Sequence, residues 1–419
     1  MTTLDLRAAP PPFLPARYLA TAPWWGVAAG LLIIGLGPLP WMSRWHPGLL
    51  GLVHFAVLGV LGNACIGALL QFLAAAVGSP VAGSMRLWQG VHLGYNLGVA
   101  LLVGGMLTGT VHLLWLGACL VSMMLCLLAW HLLRALVVGS GPVLLRASLA
   151  LPIMAWALTG LLGAALVAGM TGLARVDIVA TTDAHAVLGL LGMFGLMLLA
   201  VGRIVLPMFL GLPSPGLRAF VAGFTAFAAG VAATVLWRLL ADQPTGPARL
   251  AALMACTASV AGLLALGQRR CGRNRPLAAA WGLGLSVVLS AGLAVLLDPW
   301  RGGLAAVTAL VAVALPLLVL SMMLEISAFL AWIDLHRRCG RGVHLPGVHL
   351  LLPDSLKWRW LGAHAVAGTL LLSLAIWPRP ALVFAAGAAC CTAYVVLALA
   401  GHQPRRRARR FLLNRETSR

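Results

Sequence analysis

Of 419 residues, 61% are hydrophobic and only 9% charged, against roughly 25% charged in a water-soluble domain. That balance excludes a soluble globular protein, because no aqueous core could hide so much apolar surface, and makes lipid the solvent. The net charge of +20 comes from 29 basic residues, all but Lys357 arginine, against nine acids; the arginines flank apolar runs instead of forming a stripe on a soluble face, which argues for topology and headgroup contact and against nucleic-acid binding.

In chain order, residues 1–19 form a Pro-rich, polar segment without a cleavable leader pattern, so the first apolar run reads as a retained span. Twelve runs are long enough to cross about 30 Å of hydrocarbon. They centre on 20–40, 48–77, 87–108, 111–133, 147–172, 182–211, 217–237, 248–267, 276–297, 303–333, 360–377 and 380–401. The expected architecture is an all-α membrane bundle over 20–402 with a basic tail over 403–419. Only Thr108-Gly109-Thr110 separates the third run from the fourth.

Charge asymmetry supports the count. With the N-terminus inside, Arg7, Arg17, Arg86, Arg134, Arg146, Arg203 and Arg218 fall on the inner side, as do Arg269, Arg270, Arg273 and Arg275. Five more basic residues in the 334–359 loop and seven in the tail join them, against Arg44, Arg175, Arg238, Arg249, Arg301 and Arg379 outside. Positive charge concentrates in cytoplasmic segments, so both ends are expected in the cytoplasm of a bacterial inner-membrane protein. The tail QPRRRARRFLLNR is expected to meet anionic lipid headgroups. The eight cysteines form no C-x-x-C pair, and six lie in apolar runs, which reads as small buried thiols.

Span 2 reads HFAVLGVLG from His54 to Gly62, and span 6 reads HAVLGLLG from His185 to Gly192. Both runs are long, both enter from the outer side, and both place a histidine about one turn before Leu-Gly-x-x-Gly. One further step of the same length lands at Pro316 in the long span 10. This suggests three four-helix blocks with spans 2, 6 and 10 equivalent.

Ionisable groups in lipid-spanning segments are candidates for function because burying them is costly. His54 and His185, at matched depth on different helices, could ligate haem iron or copper through neutral imidazole; the alternative for any such histidine is a hydrogen bond to a neighbouring helix. His112 sits at a span end. His92, with Gln89 and Asn96 on nearby turns, and His364 form an inner layer that could meet as a second metal or haem site, or serve as polar helix contacts. Glu325 is the one carboxylate deep in a span and could serve a proton relay. Arg203, beside Pro207-Met208-Phe209, could pair with a propionate or snorkel to the inner leaflet.

Twelve spans with histidines on the second and sixth resemble the catalytic subunit of haem–copper oxidases and nitric oxide reductases. The segments from His54 to Phe72, from His185 to Phe209 and from Phe329 to Trp332 are similar to degenerate relatives of that subunit, and the NnrS family of haem- and copper-containing nitric-oxide-response proteins is the nearest named group. The likeness covers spans 2 to 10 in architecture and some thirty residues in motif. It implies haem b or copper at His54 and His185, and a role in nitric oxide response or electron transfer with a redox partner. Span 7 has no histidine, span 10 has none before His336, and the Trp-His-x-His-Glu pattern is reduced to Trp45-His46. Oxygen reduction at a standard binuclear centre is therefore not expected. The competing readings are a small-molecule or ion transporter on a degenerate oxidase-like fold, and an assembly factor without chemistry.

Overall fold

The structure, a computed structural model, describes residues 10–78, 82–212, 216–241, 243–267, 274–299, 302–339 and 342–416. Arg7, Arg269, Arg270, Arg273, Arg301, Arg341, Arg419 and Cys271 lie outside the described residues. Among those described there is no strand, and twelve helices are long and apolar enough to cross a membrane. These spans are Phe13–Leu36, Pro47–Ala75, Met85–Thr108, Val111–Val138, Val143–Met170, Ile178–Leu210, Leu217–Leu240, Thr245–Gly267, Arg275–Leu297, Gly303–Cys339, Asp354–Ile376 and Pro380–Arg415. The multi-pass all-α bundle is the architecture that lipid permits, since a helix satisfies its own backbone groups where no water can.

Both ends of the membrane domain extend beyond the hydropathy boundaries. Span 1 begins at Phe13 because Leu14, Ala16 and Tyr18 bury against the bundle. The last helix continues into the basic tail as a single 37-residue element. There Ala408, with Phe411 and Leu412, packs on Leu335 and Leu351, and Arg407 Nη1 donates to the Leu350 carbonyl at 2.6 Å. The Thr108-Gly109-Thr110 separator is a real turn, with Gly109 in the left-handed region at φ 66°.

Spans 2, 6 and 10 measure 29, 33 and 37 residues, whereas every other span except the last lies between 23 and 28. Each of the three also contains a π-helical stretch: Phe55–Gly62, Leu188–Gly195 and Ala309–Ala314. The π-helix is rare, and its extra residue per turn rotates everything beyond it. Three such stretches on the three spans that the sequence repeat pairs support the four-helix periodicity. The equivalence does not extend to burial. Spans 2 and 10 are the most enclosed, with 61% and 67% of their apolar windows buried, against 39% for span 6.

The π stretch of span 2 is buttressed by polar side chains. The Tyr95 hydroxyl on span 3 donates to the Leu58 carbonyl at 2.9 Å, and Asn63 Nδ2 donates to the Gly59 carbonyl at 2.7 Å. Asn63 and Asn96 also exchange amide bonds, and Trp25 Nε1 donates to Asn96 Oδ1 at 2.7 Å. This network ties spans 1, 2 and 3 together where the backbone departs from α-geometry.

Span 1 packs along span 12 and joins the ends of the chain. A Cβ on Gly30 would lie 2.6 Å from Cys391 Sγ and 2.8 Å from the Gly387 carbonyl, so the two backbones approach as only paired glycines allow. Gly30→Leu is expected to destabilise the bundle by about 1–3 kcal/mol or more through overpacking, while Gly35→Leu, facing open space, should be nearly neutral. Thermal denaturation of the two variants in detergent checks this.

Candidate functional site

His54 ends the first α-helical stretch of span 2, at the edge of its π segment. Its Nδ1 lies 2.8 Å from the Leu50 carbonyl one turn earlier. His185 sits three residues before the π segment of span 6, and its Nδ1 lies 3.0 Å from the Thr159 carbonyl on span 5. A carbonyl only accepts, so in both rings Nδ1 carries the proton and Nε2 presents its lone pair. Among the described residues neither Nε2 has a hydrogen-bond partner.

The two rings face each other with centroids 6.3 Å apart and planes 27° from parallel. Gly163 makes room for the pair, since a Cβ there would stand 3.3 Å from His185 Cε1. Among the described residues no cluster of three or more His, Cys, Asp or Glu side chains is gathered. The donor set is thus two tautomer-fixed neutral imidazoles, side chains that would suit iron or copper if such a metal were held here.

Toward the outer ends of the same helices is a charge cluster that the loop-by-loop count of arginines hid. Asp183, two residues before His185, accepts from Arg238 Nε at 2.8 Å and from Arg44 Nη1 at 3.1 Å. Arg238, at the end of span 7, is buried. Two guanidinium groups on one carboxylate leave a local excess of positive charge around Asp183.

The other sequence candidates lie elsewhere. His112 is exposed at the start of span 4. Arg203 stacks over Phe220 at 4.4 Å, eighteen residues along span 6 from His185; at 1.5 Å per residue that is about 27 Å away, too far to meet a group held by the histidine pair. His92 pairs with Thr21 at 3.0 Å and meets Tyr18 edge-on, whereas His364 contacts Trp360 and Tyr394. No ring contact joins His92 to His364 among the described residues, so the structure does not assemble the inner layer into one site. His46 caps span 2, accepting from the Gly48 amide through Nδ1 at 3.0 Å.

Glu325 is an ion-paired carboxylate. The only lysine in the chain, Lys357, places Nζ 2.7 Å from Glu325 Oε1 and 3.2 Å from Asp354 Oδ1, and Asn274 Nδ2 donates to Glu325 at 2.9 Å. Both paired side chains are buried, at 5% and 9% exposure. Asn274 Oδ1 also accepts from the Leu277 amide, capping span 9, so the cluster fastens spans 9, 10 and 11. Counting Lys357 as a loop charge concealed this, although a lone lysine three residues after Asp354 on a helix start was the available signal.

Neither the protein-family models nor the curated proteins with which the chain was compared match it.

Removing one partner of a buried pair strands the other charge, which costs about 3–5 kcal/mol. Lys357→Met is therefore expected to lower the denaturation midpoint sharply, and Lys357→Met combined with Glu325→Leu to recover most of the loss. Denaturant titration of the three proteins in detergent measures the coupling.

Proposed function

We propose that the protein is a transition-metal centre of a bacterial inner membrane, with His54 and His185 holding haem b iron or copper and both chain ends in the cytoplasm. The observation that carries this reading is the neighbouring imidazole pair, with ring centroids 6.3 Å apart, in which each Nδ1 is committed to a carbonyl and, among the described residues, neither Nε2 makes a hydrogen bond. A second imidazole nitrogen bonded to a carbonyl fixes tautomer and orientation, the usual support for a metal-ligating histidine.

If a haem were held there, Arg44 and Arg238, which meet on Asp183 two residues before His185, would be the cationic side chains to pair with its propionates. Such a centre supplies one-electron chemistry and binding of small ligands to the metal. Together with the resemblance to the NnrS and oxidase-subunit group, this points to nitric oxide response or electron transfer, with an as yet unidentified redox partner.

Detergent-purified protein is expected to show a Soret band with a sharp α-band on dithionite reduction, or stoichiometric copper by elemental analysis. His54→Ala and His185→Ala should each abolish the signal. A colourless, metal-free protein after expression with added haem and copper would overturn the reading and favour the transporter alternative. Gly163→Leu, which displaces the His185 ring, is expected to weaken the centre by about 10–100-fold while the chain still elutes as a folded monodisperse species.

A further inference from the structure

His364 on span 11 is 2% exposed, and neither ring nitrogen makes a hydrogen bond. An imidazole carries a donor and an acceptor, and leaving both unmade in an apolar interior is costly. The ring lines a cavity of about 80 Å³ between spans 1, 2, 10, 11 and 12. The walls are otherwise almost wholly apolar and include Ile33, Leu52, Val307, Ala367 and Leu371.

On one side, the Ala312 and Val313 carbonyls of the span 10 π segment lie close to the ring but outside hydrogen-bond geometry. Tyr95 occupies the corresponding place against the span 2 π segment and does complete its bond. These carbonyls can serve the imidazole N–H after a small adjustment. Among the described residues the lone pair of the other nitrogen then accepts from no protein donor, and Trp41 Nε1, which borders the same cavity, donates to none.

We infer that this cavity binds a small neutral alcohol, with its alkyl body against the apolar walls and its hydroxyl donating to His364. The size sets the class. A cavity of about 150 Å³ takes benzene, a ring of six carbons, so about 80 Å³ fits roughly three or four heavy atoms. Charged molecules are excluded, because no charged side chain lines the space. The inference does not rest on the metal reading: the cavity and the His54–His185 pair share span 2 but no side chain.

The test is xenon NMR on the detergent-purified full chain, with empty micelles as background and 1-propanol as competitor. A saturable, protein-dependent xenon shift reversed by 1-propanol is expected. Ethyl methyl ether, of the same composition but without a donor, should compete about tenfold less well. His364→Phe keeps the ring volume and should retain the xenon shift while erasing the preference for 1-propanol. Val307→Trp, which fills the cavity from span 10, should return the shift to background, and Ala367→Phe does the same from span 11 should the first variant fail to fold. Absence of a protein-dependent shift in the wild type, or equal competition by alcohol and ether, would overturn the proposal. Neither result bears on the visible spectrum that tests the metal centre.

Discussion

Lipid offers no hydrogen bonds to a polypeptide, and every departure from α-geometry inside the bilayer must be answered by another part of the chain. That constraint organises this bundle. The three π stretches fall on spans 2, 6 and 10, and polar side chains meet the loosened backbone of spans 2 and 10. Tyr95 and Asn63 complete bonds to Leu58 and Gly59; His364 stands in the same relation to Ala312 and Val313 without completing one. The functional candidates of the molecule gather where the helices are not regular.

Polar clusters also fasten the two faces of the bundle. Asp183 with Arg44 and Arg238 links the first loop to spans 6 and 7, and Glu325 with Lys357 and Asn274 links spans 9, 10 and 11. Each joins segments that the charge alternation assigns to one side. Spans 7, 8 and 9 have only 22–28% of their apolar windows buried, so helix packing alone holds this side of the bundle weakly. The ion pairs supply contacts that apolar packing there does not.

The histidine pair was legible in part. Two similar segments, each with a histidine ahead of Leu-Gly-x-x-Gly, were enough to single out His54 and His185, because matched motifs on spans that cross in the same direction imply matched depth. The supporting parts were not legible. Thr159 contributes a backbone carbonyl, which has no sequence signature, and Gly163 matters only because a ring happens to lie above it. The sequence left His92 open between a second metal site and a polar helix contact, and its pairing with Thr21 is of the second kind; depth along a span says nothing about which way a helix faces. A loop count treats every basic residue alike, whereas the Lys357 ammonium turns inward to Glu325 and also meets Asp354.

By itself the sequence determined the solvent, the number of spans, the turn at Gly109 and the fourfold periodicity that relates spans 2, 6 and 10. Those follow from composition and linear spacing, because the bilayer imposes a fixed length and the backbone a fixed rise. Only the tertiary structure decided that His54 faces His185, that Glu325 is neutralised by Lys357, and that His364 borders a cavity. Each depends on the rotation of a helix about its own axis. A π stretch changes that rotation by an amount no hydropathy pattern records.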